Sequence, residues 1–302
     1  MTLPPSLVGT LAIPVIVAPM FLVSGPDLVV ACCEAGLLGT FPALNQRSSE
    51  GFGQWLHEIE GRLAGMPNAA PFGVNLIVHK SNPRVNADLD LIVAHRVPLV
   101  ITSLGTVPDI VDAVHSYGGI VLHDVTGVRH AEKALTAGAD GLIAVAAGAG
   151  GHAGTLSPFA LIAEIRAFFD GPLALAGSIT SGAHIAAART MGADLAYIGS
   201  PFIAAEESLA SVGQKEMMVA ASAADIVYTD RVTGVGANFL RPSLEAATLP
   251  EGHGELSLSE EARVWKTIWS AGHGVGATTA IQPARSICET LIAEYQAASP
   301  SE

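Results

Sequence analysis

The sequence has few basic and few aromatic residues, and this scarcity excludes several classes of protein. Lys and Arg together number 15 against 28 Asp and Glu, which gives a formal net charge of −13. Nucleic-acid surfaces and membrane-facing basic patches need clustered Lys and Arg, so neither partner is expected. Aromatic residues make up 5% of the chain and charged residues 14%, whereas half of the residues are hydrophobic. This balance is typical of an α/β protein whose sheet is covered on both faces.

Cysteine, long apolar runs and metal-ligand spacings are also scarce. The only cysteines are Cys32, Cys33 and Cys288, without zinc-type spacing, so we expect buried, reduced thiols. No His, Asp and Glu cluster has the spacing of metal ligands, so no bound metal is expected. No window of about 18 apolar residues is free of charges or helix breakers, and the N-terminus lacks the basic flank of a signal peptide. We therefore expect a cytoplasmic protein, with a homodimer as one option for its assembly.

Short apolar runs alternate with amphipathic runs through the first two thirds of the chain. Each strand candidate is apolar or β-branched and is bounded by Gly, Pro or polar residues. The strand candidates are 13–19, 37–42, 72–77, 98–104, 119–125, 141–147, 173–178 and 195–200. The helix candidates are 26–35, 50–65, 84–95, 108–117, 129–137, 158–169 and 182–191. Eight strands alternating with helices predict a (β/α)8 TIM barrel with right-handed crossovers, and a doubly wound open sheet is the alternative.

The region 204–280 breaks this rhythm. It contains a helix-like stretch at 206–223, a segment rich in Gly, Asn and Pro at 234–254, and a glycine cluster at 272–276. We interpret 204–280 as a segment inserted after strand eight, which covers the mouth of the barrel and the substrate. Residues 1–203 and 281–302 would then form the barrel, with its last helix at 281–297.

The loop 148–154 is the most informative stretch of the sequence. It follows the sixth strand candidate and contains four glycines, which let a backbone approach a ligand closely because they lack Cβ. His152 is the only side chain of this loop that can move a proton near neutral pH. Catalytic groups of such barrels lie at the carboxyl ends of the strands. The pattern therefore predicts an active site with His152 as general acid or base, and a solvated histidine is the alternative.

The other strand ends carry further candidates. Gly177-Ser178 and Gly199-Ser200 follow strands seven and eight, whose loops commonly bind a phosphate through backbone N–H groups. Two ordinary strand-to-helix turns are the alternative. His123 and Asp124 end strand five as a second acid/base pair, unless His123 is a hydrogen-bonded histidine of the interior. The remaining strand-end residues are Ala18, Pro19, Met20, Asn75 and Ser103.

The glycine loop also has a weak similarity to a dinucleotide-binding motif. Gly148, Gly150 and Gly154 fit a relaxed form of the glycine pattern that opens a Rossmann domain. That motif belongs on the first strand of its sheet, with an acidic residue at the end of the second. Here five βα units precede it and the next strand ends in Gly177-Ser178, so this interpretation is disfavoured.

An ordered set of these segments resembles the nitronate monooxygenase family, formerly called 2-nitropropane dioxygenases. The resemblance extends over residues 12–290. It rests on Ala18-Pro19-Met20, Gly73-Val74-Asn75-Leu76, Ala149-Gly150-Gly151-His152-Ala153-Gly154, Ala176-Gly177-Ser178-Ile179 and Ile198-Gly199-Ser200-Pro201-Phe202. The segments 233–243 and 269–276 are similar to the covering segments of that family.

The resemblance implies a barrel that binds FMN and oxidises alkyl nitronates, or nitroalkanes, with dioxygen. The FMN phosphate would lie at Gly177, Ser178, Gly199 and Ser200. The ring would lie near Ala18, Pro19, Met20 and Asn75, and Asp124, Gly150 and Gly151 are also expected to contact the cofactor. His152 matches the catalytic histidine of the family, which would deprotonate a neutral nitroalkane or donate a hydrogen bond to the nitro oxygens. His273 and Gly274 are expected to contact the substrate.

Two departures from the family pattern leave the reaction open. Some relatives have Lys where this chain has Asp124, and relatives often have Gln where it has His273. NAD(P)H-dependent flavin reductases acting on quinones or enoyl thioesters are the alternative function. Flavin-type enoyl-acyl-carrier-protein reductases share the Gly-Gly-His-x-Gly loop. A third class is a non-catalytic barrel that binds a phosphate ligand, or an IMP dehydrogenase-like enzyme without flavin. The latter needs a nucleophilic cysteine after strand six, where this chain has His152.

Overall fold

The chain forms a closed barrel of eight parallel strands. The computed structural model describes residues 7, 9–105, 107–247, 256, 260 and 263–299. The barrel strands are β1 (Val15–Val17), β2 (Leu38–Pro42), β3 (Gly73–Ile77), β4 (Leu99–Ser103), β5 (Ile120–Val125), β6 (Gly141–Val145), β8 (Leu173–Ala176) and β9 (Leu195–Ile198). The short strand β7 (Gly151–His152) lies outside the barrel, so β6 pairs with β8. Each barrel strand pairs in parallel with the next, and β1 pairs with β9, which closes the barrel. The predicted TIM barrel is confirmed, and the open-sheet alternative is wrong.

Helices surround the barrel and connect its strands. They are α1 (Pro26–Glu34), α2 (Ser49–Leu63), α3 (Val85–Ala94), α4 (Pro108–His115), α5 (Val128–Thr136), α6 (Pro158–Arg166) and α7 (Gly182–Thr190), followed by α8 (Ser200–Ile203) after β9. Pro26, Pro108 and Pro158 occupy first helical positions, where a missing N–H costs nothing. Gly118 follows α4 with φ of 83°, a left-handed conformation that suits glycine at a helix end.

Two apolar layers fill the barrel and its surroundings, because successive residues of a strand face opposite sides of the sheet. One layer lies inside the barrel and includes Ile101, Leu122 and Ile143. The other lies between the strands and the helices and includes Val100 and Val121, the neighbours in sequence of the first two. The cysteines at 32, 33 and 288 are buried and free, as predicted. Among the described residues, no helix has the length and apolarity needed to cross a membrane, and no group of side chains could hold a metal ion.

The chain after β9 forms a covering segment next to the barrel mouth. It contains α9 (Val212–Ala220), a 3-10 turn at Ala223–Asp225, β10 (Ile226–Thr229), β11 (Ala237–Leu240), α10 (Arg241–Ala246) and a 3-10 turn at His273–Ala277. The chain then enters α11 (Ala284–Ala298), close to the predicted last helix. Ala205 and Gln282 form a parallel bridge, so the two ends of this segment lie side by side. The proposed boundaries at 204 and 280 stay predictions. Part of the predicted Gly/Asn/Pro-rich stretch (248–254), and residues 1–6 and 300–302 of the predicted barrel, lie outside the described residues.

The helix predicted at 206–223 is shorter than expected. Helix α9 begins only at Val212, because the Ser211 hydroxyl accepts a hydrogen bond from the N–H of Gln214 and caps it there. Lys215 Nζ donates to the carbonyl oxygens of Glu206 and Ser208, each at 3.1 Å. These two bonds hold 206–208 as a loop, so the first part of the predicted helix is not helical.

Candidate active site

A cavity of about 740 Å³ opens at the carboxyl ends of the barrel strands. Its wall contains every residue that the sequence predicts to bind cofactor, together with His152 and Gly274. These residues are Ala18, Pro19, Met20, Asn75, Asp124, Gly150, Gly151, His152, Gly177, Ser178, Gly199, Ser200 and Gly274. The fold therefore brings the predicted site residues together around one space.

His152 lies in a short strand that the sequence does not reveal. This strand, β7 (Gly151–His152), pairs antiparallel with β11 of the covering segment, with His152 opposite Ala237. The Nε2 atom of His152 lies 3.4 Å from Thr233 Oγ1, and the Trp265 ring stands edge-on to the imidazole at 5.9 Å between centroids. Burial lowers the pKa of His152 below its ordinary value of 6.5. The imidazole is therefore neutral at pH 7 and able to accept a proton.

Hydrogen bonds from the covering segment hold the loop in front of His152. The buried Asn238 side chain donates through Nδ2 to the carbonyl oxygen of Ala149 at 2.7 Å. The N–H of Gly151 donates to Ser270 Oγ at 2.5 Å, and the Ser270 hydroxyl donates to the Asn238 carbonyl at 2.8 Å. Four residues from three distant parts of the sequence thus form one network, which fixes the loop against the covering segment.

Glycines allow the backbones of the loop and the covering segment to touch. Gly148 has φ of 85°, and a Cβ placed on it would collide with the Ser178 hydroxyl. A Cβ on Gly272 would lie 2.6 Å from the carbonyl oxygen of Gly148, well inside van der Waals contact. A larger residue at Gly272 would have to move backbone, and one at Gly148 would be strained by the positive φ and would displace the Ser178 side chain. The glycine-rich composition of both segments follows from this close approach.

The turns after β8 and β9 lie next to these glycines. Gly177 has φ of 139° and Ser178 has φ of 56°, a left-handed conformation uncommon for a residue with a side chain. The N–H of Gly272 donates to Ser200 Oγ at 2.9 Å. Since this bond occupies the Ser200 oxygen as an acceptor, its own hydroxyl hydrogen stays available to a ligand. Both turns line the cavity, as a phosphate site there requires.

Asp124 ends a hydrogen-bonded chain that begins at Asn75. Asn75 Nδ2 donates to Ser103 Oγ at 2.7 Å and to the Ile101 carbonyl at 3.1 Å, and the Ser103 hydroxyl donates to Asp124 Oδ2 at 2.5 Å. The second carboxyl oxygen, Oδ1, is buried without a hydrogen-bond partner among the described residues. Burial raises the pKa of Asp124 to about 6, although the bond from Ser103 favours the ionised form. Asp124 thus presents an unused acceptor at the cavity wall.

His123 does not form an acid/base pair with Asp124. The two residues are consecutive in β5 and therefore face opposite sides of the sheet. His123 is 7% exposed, and its Nδ1 lies 2.7 Å from Thr102 Oγ1. Burial and then the nearby His130 and Lys133 lower its pKa to about 4. The alternative, a hydrogen-bonded histidine, fits better. His123 lies on the outer face of the sheet, however, and not in the barrel interior.

His273 and Gly274 differ in their position relative to the cavity. Gly274 lines it, whereas the His273 side chain is exposed and does not line it. The backbone N–H of His273 donates to the Gly148 carbonyl at 2.9 Å, so the residue joins the covering segment to the loop through its backbone. A contact between the His273 side chain and a substrate stays a prediction.

Sequence reasoning missed the residues that surround His152 from the covering segment. Thr233, Asn238 and Ser270 lie within the segments that resemble the family, but no spacing assigns them a role. Trp265 lies outside those segments. Ser103 was identified as a strand end, and only the register of β4 and β5 shows that it holds Asp124. Except for Trp265, these residues share one signal: each is a polar residue in a Gly-rich segment or at a strand end.

Similarity to known proteins agrees with this geometry. A sequence model of the nitronate monooxygenase family matches residues 82–294. The chain belongs to this family. A nitronate monooxygenase of Pseudomonas aeruginosa is 28% identical over 273 residues, which cover 75% of this chain and 76% of that protein.

Other relatives show how the family varies. A Rhodococcus jostii enzyme named (3aS,4S,5R,7aS)-5-hydroxy-7a-methyl-1-oxo-octahydro-1H-indene-4-carboxyl-CoA dehydrogenase is 25% identical over 233 residues, which are 76% of this chain. The chain spans 63% of that enzyme and 41% of a Mycobacterium tuberculosis relative named as a monooxygenase. Among solved structures, a nitroalkane oxidase of Streptomyces ansochromogenes superposes with a TM-score of 0.83 at 26% identity, covering 97% of this chain and 98% of that one.

Proposed function

We propose that this nitronate monooxygenase family member oxidises alkyl nitronates, and nitroalkanes, with dioxygen, using FMN and His152. The observation that carries the proposal is the partly buried imidazole of His152 at the wall of a cavity bordered by the Gly177-Ser178 and Gly199-Ser200 turns. A basic group close to a phosphate-binding rim is the arrangement that this chemistry needs. A nitronate and dioxygen are the proposed partners, and a cytoplasmic location and a homodimer stay predictions.

The residues around the cavity fit an FMN molecule. A volume of about 740 Å³ lies within the range of small-molecule sites, roughly 300–1,000 Å³. The unpartnered Oδ1 of Asp124 would accept a hydrogen bond from an N–H of the flavin ring. Without that bond, a bound ring would leave the buried Oδ1 unsatisfied. The Gly177, Ser178, Gly199 and Ser200 turns would hold the phosphate. Ala18, Pro19, Met20, Asn75, Gly150 and Gly151 would surround the ring with Asp124.

His152 would act on the substrate as a base or as a hydrogen-bond donor. Thr233 Oγ1 lies 3.4 Å from Nε2 of His152, and its hydroxyl donates to the Val235 carbonyl at 3.0 Å, so Thr233 helps to orient the imidazole. His152 would take the proton from the carbon beside the nitro group of a neutral nitroalkane. Bound FMN would supply the capacity to accept electrons from the substrate.

Anaerobic spectroscopy tests this proposal. Ethyl nitronate is added without oxygen to the purified holoprotein, and the visible absorption of the flavin is followed. We expect the nitronate to bleach the flavin and admitted dioxygen to restore its absorption. A flavin that stays oxidised with ethyl nitronate and with propionate 3-nitronate contradicts the proposal, and a protein that binds no added FMN favours the non-flavin barrel.

One observation favours a second candidate, an NAD(P)H-dependent flavin reductase acting on quinones or enoyl thioesters. The Rhodococcus jostii relative is named for a carboxyl-CoA substrate, which is a thioester. NADH and NADPH are therefore added separately in the same anaerobic cuvette. Rapid bleaching by either nucleotide, with none by nitronate, selects this alternative.

A further inference from the structure

The active-site cavity extends into a lobe between the end of β5 and helix α5. We call it the α5 lobe and define it by His123, Thr126, His130 and Lys133, which all line the cavity. A Cβ placed on Gly154 would lie 3.1 Å from Thr126 Cβ, so the wall of the lobe packs against the loop that carries His152. Gly154 follows His152 by two positions in the sequence. The α5 lobe therefore adjoins the proposed reaction centre.

Three nitrogen atoms of the α5 lobe have no hydrogen-bond partner among the described residues. His123 uses Nδ1 with Thr102 at 2.7 Å, and His130 uses Nδ1 with Thr126 Oγ1 at 3.0 Å. In the part of the chain that the structure describes, neither the two Nε2 atoms nor Lys133 Nζ has a hydrogen bond or an ion pair. A lysine and two histidines thus line one cavity, and the Lys133 ammonium is a donor that no described residue uses.

Lys133 gives the α5 lobe a positive charge. His130 and Lys133 both act on His123 in the direction that disfavours its charged form, and no carboxylate acts in the opposite direction. Asp124 faces the other side of β5, where Ser103 holds it. Glu132 lies on the same helix and is exposed, as His130 and Lys133 are, but it does not line the cavity. An anion in the lobe would be attracted by the charge of Lys133.

We propose that the α5 lobe binds an anionic oxygen group, a carboxylate or a phosphate, at the far end of a substrate or co-substrate. The reacting end of that molecule would lie beside His152, and this part of the inference rests on the proposed function. Because the chain has a net charge of −13, its overall field repels anions, so recognition has to come from these local donors. The lobe would select anionic substrates over neutral ones of the same reacting group.

Calorimetric titration of the FMN-loaded protein tests the lobe without any turnover. Propionate and inorganic phosphate are titrated separately, and propionamide serves as a neutral analogue. Lys133→Gln removes one positive charge from the lobe. Arg129→Gln removes the same charge from the same helix at an exposed position that does not line the cavity, so it is the matched control. His130→Gln is a second variant of the lobe.

We expect Lys133→Gln to weaken anion binding by about tenfold or more, as loss of a charge-assisted hydrogen bond does, and Arg129→Gln by less than about twofold. Tighter binding of propionate identifies a substrate carboxylate, and tighter binding of phosphate identifies a phosphorylated co-substrate. The inference is overturned if the wild type binds neither anion, if propionamide binds equally well, or if Lys133→Gln and Arg129→Gln have the same effect.

Kinetics give a second, separate measurement. We expect Lys133→Gln to raise KM for propionate 3-nitronate by about tenfold and to leave KM for ethyl nitronate unchanged, if the anion is a substrate carboxylate. Equal changes for both nitronates would contradict that assignment. If the protein oxidises neither nitronate, the proposed reaction fails, while the anion titrations still decide whether the lobe binds an anion.

Discussion

The backbone of His152 pairs with the backbone of Ala237 in an antiparallel sheet. The histidine of the barrel loop and the covering segment therefore share one structural element, and neither can move far without the other. Asn238 strengthens this link through its bond to the Ala149 carbonyl. The position of the imidazole is set by the covering segment as much as by the barrel.

Replacing His152 should separate substrates that need deprotonation from substrates that do not. In His152→Gln we expect turnover of neutral nitroethane to fall at least about 100-fold, because a general base contributes roughly that much or more. Turnover of ethyl nitronate should fall by less than about tenfold, since its proton is already lost. Steady-state rates with both substrates measure this, and the FMN dissociation constant is the control for an intact site. Equal losses for the two substrates would exclude a role of His152 as base.

The pH dependence of nitroalkane oxidation should show an acidic limb with its midpoint below 6.5. Burial lowers the pKa of His152, so the neutral imidazole that accepts the proton predominates at pH 7. The rate with neutral nitroethane should be level between pH 7 and 8 and should fall as the pH decreases through the lowered pKa. Values of kcat/KM from pH 5 to 8 test this. A midpoint above 6.5 would show that another group limits the reaction.

Asp124→Asn should make stability less dependent on pH. The carboxyl has a pKa of about 6 in the fold against its ordinary value of 3.8, so the folded state binds more protons than the unfolded state between these values. Ionisation of Asp124 therefore costs the wild type stability as the pH rises through this window, about 1.4 kcal/mol between pH 5 and 8. From pH 5 to pH 8, the free energy of unfolding of Asp124→Asn minus that of the wild type should therefore rise by about that amount. Urea unfolding of ligand-free protein at both pH values measures it, and an unchanged difference would contradict the buried charge.

Two glycine substitutions should have opposite effects on stability. Gly272→Ala places a methyl group against the Gly148 carbonyl, so it should destabilise the protein by about 1–3 kcal/mol and weaken FMN binding. Gly61→Ala adds a methyl group with nothing within 4 Å on an exposed turn of α2, so it should stabilise by about 0.5–1 kcal/mol. Thermal unfolding and FMN titration of both variants compare them. Equal stability of the two variants would mean that the close approach at Gly272 is not required.

The sequence predicts the barrel well because its signals are local. Each strand is a short apolar run, and proline and glycine mark the helix ends within a few residues of their observed positions, as Pro158 and Gly118 show. The residues predicted to bind the cofactor lie at strand ends, which a barrel brings to one face, and the family resemblance supplies their role as FMN contacts. The helix predicted at 206–223 is partly wrong, because the cap at Ser211 and the bonds of Lys215 override the local pattern.

By itself, the sequence determines the eightfold alternation, the glycine loop with His152 and the strand-end residues, since periodicity and backbone punctuation act over a few neighbouring residues. Only the tertiary structure decides that Ser103 holds Asp124, that His123 faces away from it, and that Thr233 and Ala237 position His152. These relations depend on the register between strands and on contacts between segments far apart in the chain. A one-residue change of register would turn each side chain to the other face of its sheet, and no local pattern specifies that choice.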